Sequence, residues 1–172
     1  MKNRSHCIER DYCAPQAELI LSSFYNVIGK HLIDPQLSKK ERYQALYEAP
    51  FCVVSHDTSK DPIFNYGNKA ALELFEFNWK DFTALPSRLS AESQVQEERD
   101  RLLKQVTENG FIDDYQGVRV SSSGKRFFVK QAIVWNLFDT NDIYQGQAAV
   151  LYEWHILDTT KKPFISRLSI IN

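Results

Sequence analysis

The side chains best equipped for metal or redox chemistry in this chain are three thiols, Cys7, Cys13 and Cys52, and four imidazoles, His6, His31, His56 and His155. A structural zinc site takes thiolates in pairs about two to four residues apart, because one tight turn has to aim both at the same ion. Five residues separate Cys7 from Cys13, and that spacing argues against zinc at His6, Cys7, Cys13 and His31. Three cysteines leave one unpaired in any disulfide scheme, and a chain this long needs no covalent staple, so they fit a reducing cytoplasm. His56 and His155 fall on or beside β-prone segments, where a lone imidazole is ordinarily packed or solvated and not a heme ligand. Hydrolytic chemistry finds no better footing. There is no G-x-S-x-G and no glycine-rich phosphate loop, and no histidine shares an expected inward face with an Asp or Glu, the pairing that acid–base catalysis uses. The chain is not expected to be an enzyme.

Composition narrows the remaining classes. The 172 residues are 43% hydrophobic and 25% charged with a net charge of -1, the make-up of one globular domain. Phosphate backbones are bound by clustered Lys and Arg through counterion release, and a near-neutral chain offers no such footprint, so no nucleic acid is expected. The longest apolar run, Ala148 to Tyr152, is far short of the roughly 20 residues that cross a bilayer, and the first sixteen residues carry no apolar signal core. No membrane is expected, and the location implied is cytoplasmic. Residues 1–15 read as a flexible arm, 16–158 as a single domain and 159–172 as a tail.

The elements that would position any site follow from periodicity. Ile20, Phe24, Val27 and Ile28 recur at helical spacing within Gln16 to Leu32, which predicts an amphipathic helix. Ser38-Lys39-Lys40-Glu41 is a capping box that opens a second helix with Tyr43, Leu46 and Tyr47 on one face. Strands are predicted at 51–56 and 62–66, joined by the turn Asp57 to Asp61, and Asn68 then caps a short helix over Lys69 to Phe75. A capping box at Ser93-Gln94-Val95-Gln96 opens a long helix that Asn109-Gly110 ends. Three further strands, 112–121, 126–138 and 143–157, are separated by turns of hairpin length. Strict alternation along the middle one puts Phe127, Val129, Gln131, Ile133 and Trp135 on one face, expected to be the inward one, and Lys130 and Asn136 on the other. Gly117 and Gly146 are isolated strand glycines of the kind that mark bulges or close backbone approach.

The order helix, two strands, short helices, long helix, three long strands resembles that of a PAS domain. Asn68-Lys69-Ala70-Ala71-Leu72-Glu73-Leu74-Phe75 is similar to the first helix after the PAS hairpin, Ser122-Ser123-Gly124-Lys125-Arg126-Phe127 to the turn between its third and fourth strands, and Leu157-Asp158-Thr159-Thr160-Lys161-Lys162 to its closing signature. More specifically, Asn65 to Phe75, Ala84-Leu85-Pro86-Ser87-Arg88-Leu89-Ser90-Ala91-Glu92 and Ala132-Ile133-Val134-Trp135-Asn136-Leu137 look like the MEKHLA family, a PAS-related domain that also ends plant class III homeodomain-leucine-zipper proteins. The resemblance implies an α+β fold: a PAS-like five-stranded antiparallel sheet with helices on its concave side, preceded here by the N-terminal amphipathic helix. No homeodomain or zipper accompanies it, so DNA binding does not carry over.

What the resemblance implies for function is small-molecule or redox sensing, passed on to a partner protein by conformational change. Flavin-binding members carry a photoreactive cysteine after an Asn. The corresponding stretch here, Leu85-Pro86-Ser87-Arg88-Leu89-Ser90, has none, and their polar flavin-contacting positions fall on Arg119, Val129 and Leu151, which argues against a photoreactive flavin. No cofactor is named. The expected pocket takes Tyr115, Arg119, Gln131, Trp135 and Gln147 from the sheet and Phe75 and Phe82 from the helices, with Arg119 able to grip a carboxylate or phosphate. The competing expectation is that Asp113 or Asp114 neutralises Arg119 and the aromatic residues fill a core. Two other functions stay open: an NTF2-like enzyme, and a ligand-free module that dimerises through the helix 16–32, which could equally cap its own sheet.

Overall fold

The computed structural model describes residues 7–92 and 96–157. Five strands, β1 (Cys52–His56), β2 (Phe64–Gly67), β3 (Phe111–Val120), β4 (Arg126–Phe138) and β5 (Tyr144–Ile156), form one antiparallel sheet in the order β2-β1-β5-β4-β3. The helices are α1 (Cys7–Asp11), α2 (Ala14–Ile28), α3 (Lys39–Glu48), α4 (Lys69–Phe75), α5 (Trp79–Phe82) and α6 (Gln96–Asn109), with a 3-10 turn at Ser87–Ser90. This is the α+β fold that the strand and helix periods predict.

Local chemistry sets the helix ends. The Ser38 hydroxyl accepts from the Glu41 amide while the Glu41 carboxylate accepts from the Ser38 amide, the reciprocal pair that starts α3. At the other end of α2, Gly29 turns into the left-handed region at φ 78° and its N–H returns to the Tyr25 carbonyl. Asn68 does more than cap α4. Its side-chain oxygen accepts from the amides of Ala71 and Val53, and its nitrogen donates to the carbonyls of Leu46 and Phe51, so one fully buried amide joins α3, β1 and α4. The predicted capping box at Ser93 and the tail 159–172 lie outside the described residues.

Two apolar layers sandwich the sheet. On the inner face Cys52, Val54, Phe127, Val129, Ala132 and Leu151 pack against Phe75 of α4 and Phe82 of α5. On the outer face Val53, Trp135, Leu137, Ala148 and Val150 pack against Ala17, Ile20 and Phe24 of α2, the Phe24 ring meeting the Trp135 indole edge-on at 4.9 Å. Polar contacts fix the helix there: Gln16 donates to Ser55 and Asn65 at the β1–β2 hairpin, and the Ser23 hydroxyl both donates to the Phe138 carbonyl and accepts from its amide. The apolar face of the helix predicted over 16–32 is therefore seated on the sheet of its own chain. Helices thus cover both faces of the sheet, α2 taking the outer one, as expected of a helix that caps its own sheet.

The amino terminus departs from expectation. Within the segment expected to be a flexible arm, residues 7–15 hold α1 and the first two residues of α2, and Cys13 is buried in the outer layer. Cys7 and Cys13 are joined in a disulfide with a Cα–Cα distance of 4.8 Å, so the expectation of three thiols gives way to one bridge and one buried thiol, Cys52. The spacing too loose to hold zinc is sufficient for a bridge, because a single helical turn folds Cys7 back toward Cys13.

Gly146 confirms the glycine reading in full. It takes φ +121°, and a Cβ built there would stand 2.0 Å from the His56 carbonyl oxygen. Because that obstacle is backbone, Gly146→Ala is expected to destabilise the fold by about 2 kcal/mol or more, measured by urea denaturation. A loss below about 0.5 kcal/mol would show that β1 and β5 are not held this close.

Candidate functional site

The inner face and α6 flank a partly open cavity of about 100 Å³. Phe64, Phe75, Val129 and Leu151 form its apolar floor, and Leu102, Leu103 and Val106 of α6 close it from above. The stripe on α6 exists because Leu102 and Val106 lie four apart and so share a helix face. Gly110, in the left-handed conformation at φ 85°, ends that helix and accepts a hydrogen bond from the amide of Asn136 on β4.

The polar residues of its wall include Arg119 and Gln147. At one end Arg119 lies half-buried with its guanidinium 5.4 Å from the Tyr115 ring centroid and donates a long bond, 3.4 Å, to the Ser90 hydroxyl. Asp113 and Asp114 are solvent-exposed, and no carboxylate among the described residues pairs with Arg119, so the neutralisation by Asp113 or Asp114 does not occur. Elsewhere on the wall the Gln147 amide donates to the Asn136 side-chain oxygen at 3.1 Å, and the Asn136 amide nitrogen donates to the Val106 carbonyl at 2.9 Å. Gln147 lines the cavity, so this chain of bonds runs from the cavity wall to the last turn of α6.

Of the seven residues expected at a pocket, Phe75, Tyr115, Arg119 and Gln147 line the cavity. Phe82 lies in the layer beneath it, fully buried and stacked on Phe64 at 4.4 Å. Gln131 and Trp135 are elsewhere. Gln131 is exposed and Trp135 is buried in the outer layer. Strict alternation fails because the pairing of β4 is irregular between Val129 and Ala132, where Lys130 and Gln131 both turn to solvent. Beyond that point inward residues are Ala132, Val134 and Asn136, and outward ones are Ile133, Trp135 and Leu137. The same slip crosses the neighbouring strands, where Asp113-Asp114 of β3 and Tyr152-Glu153 of β5 are also consecutive exposed pairs. Sequence reasoning missed Asn136 and Val134 for this reason, and missed Ser90. The available signal was three adjacent exposed pairs, each with at least one charged residue, on three successive strands.

The buried Cys52 thiol is pushed up to about 12, first by burial and then by the Glu73 carboxylate, so it stays protonated and chemically quiet. Cys52 belongs to the inner layer but does not line the cavity.

A family model for the MEKHLA domain matches residues 14–156. No curated protein matches the chain in sequence. Among solved structures it is similar to the PAS domain of a protein from Colwellia psychrerythraea, at 14% identity and a TM-score of 0.58 over 66% of this chain and 94% of that one. It is also similar to a light-oxygen-voltage domain studied with a flavin analogue, at 15% identity and a TM-score of 0.52 over 70% and 87%, and to a variant of Vivid, at 14% identity and 0.54 over 78% and 99%. Likeness at these identities concerns the fold.

Proposed function

The chain belongs to the MEKHLA family of PAS-related domains, and on that footing we propose that it is a sensory or regulatory domain that holds a small molecule between sheet and α6 and signals by moving α6. The observation that carries this is the cavity closed by Leu102, Leu103 and Val106, with Gln147 and Asn136 linking its wall to the Val106 carbonyl. A ligand that draws Gln147 away from Asn136 changes what holds the last turn of α6, which gives binding a differential effect on two positions of that helix. The likeness to PAS and light-oxygen-voltage structures supports a sensory role by analogy of fold. Among the described residues that line the cavity His56 is the one histidine and none is an Asp or Glu, so the acid–base pair of the NTF2-like alternative is not assembled from them. That supports a non-catalytic role.

Among the described residues no helix is long and apolar enough to cross a membrane. We place the domain in the cytoplasm on composition, while the Cys7–Cys13 bridge is the feature that pulls the other way. A partner protein receiving the signal remains part of the proposal, and a second copy of the chain would have to use surface other than the seated face of α2.

The test is native mass spectrometry of freshly purified protein for a retained metabolite, followed by hydrogen exchange with the cavity occupied and empty. Exchange of the α6 amides is expected to slow at least about fivefold on occupancy. Equal exchange in the two states would overturn the role of α6 as the signalling element.

A further inference from the structure

Resting on the reading that this cavity is a binding site, we propose that its ligand is a short aliphatic monocarboxylate gripped by Arg119. Among the described residues that line the cavity Arg119 is the only Lys or Arg, and none is an Asp or Glu. Within that lining the site carries one unpaired positive charge beside an apolar wall. Arg119 is half-buried, so part of its hydration is already lost, and the only polar contact it makes among the described residues is the 3.4 Å bond to Ser90. A planar guanidinium offers paired donors that match a carboxylate, and a single such group matches a singly charged head better than a phosphate monoester carrying nearly two charges.

The size and lining of the cavity select the rest of the molecule. Its volume, near 100 Å³, is smaller than the roughly 150 Å³ void that accepts benzene. Fused-ring bodies exceed that volume, whereas a short aliphatic chain suits it. With the carboxylate at Arg119, the tail lies against the apolar side chains of Val129 and Leu151.

The experiment compares butanoate with 1-butanol by isothermal titration on the full chain, wild type and Arg119→Gln. Butanoate is expected to bind the wild type at least about tenfold more tightly than butanol, and to lose about that factor in Arg119→Gln while butanol is unchanged. Arg119→Lys, which keeps the charge but not the fork, is expected to fall between them. Circular dichroism reports whether each variant is folded, and the butanoate-to-butanol ratio in the wild type decides the matter if Arg119→Gln is not. Equal binding of the two probes, or unchanged butanoate affinity in a folded Arg119→Gln, overturns the carboxylate while leaving a small-molecule site. Binding of neither probe at any concentration the folded protein tolerates overturns the aliphatic ligand, and the retained-metabolite measurement then decides separately whether the cavity binds anything.

Discussion

Asn68→Leu is expected to lower the unfolding free energy by about 3–5 kcal/mol, the largest loss from a single polar side chain in this fold. Leucine has the same number of side-chain heavy atoms in the same branched arrangement and leaves no void, so cavity formation does not contribute to the loss. It strands two amides, Val53 and Ala71, and two carbonyls, Leu46 and Phe51, all served by one amide side chain. Asn68 is fully buried, so water cannot take over these contacts without opening the junction of α3, β1 and α4. Asn68→Ser keeps an acceptor for the first turn of α4 but cannot reach all four partners, and should cost about half as much. Urea denaturation followed by far-ultraviolet circular dichroism measures both. Equal small losses, below about 1 kcal/mol each, would mean that Asn68 serves only as a helix cap.

Asn68 also shows what a sequence discloses and what it withholds. Its role as a cap was legible, since Asn before a Lys69–Phe75 apolar stripe has a local cause. Its bonds to Leu46 and Phe51 were not, because they join positions up to 22 residues apart. The same division runs through the fold. Strand limits and the capping box at Ser38 depend on nearest neighbours, and β1 to β5 lie close to their predicted spans. Arg119 and Gln147 fall on the cavity wall because β3 and β5 keep their parity at those positions relative to the helices. Gln131 and Trp135 do not, because parity propagates along a strand only until the first irregularity, and β4 has one in its middle. The Cys7–Cys13 bridge was invisible for a related reason: composition argues about compartments, whereas the bridge follows from one turn of α1.

That slip in β4 gives opposite fates to two residues that simple alternation treats alike. Trp135→Ala is expected to cost about 3–5 kcal/mol, since the indole is fully buried between Phe24 and the outer layer and its removal leaves a void that α2 cannot fill without moving. Gln131→Leu is expected to change stability by less than about 0.5 kcal/mol, because its side chain stands in solvent beside Lys130. Trp135→Phe separates packing from polarity. The indole nitrogen is buried with no hydrogen-bond partner among the described residues, so losing it relieves an unsatisfied donor and offsets part of the lost contact, for a net cost of about 1–2 kcal/mol. Butanoate affinity adds a second axis to the same three proteins. Trp135 lies on the face opposite the cavity, so folded Trp135→Phe should bind the probe as the wild type does, as should Gln131→Leu. If Gln131→Leu destabilised the protein by 2 kcal/mol or weakened the probe tenfold, β4 would keep strict alternation after all, and the cavity wall would have to be rebuilt with Gln131 and Trp135 inside it.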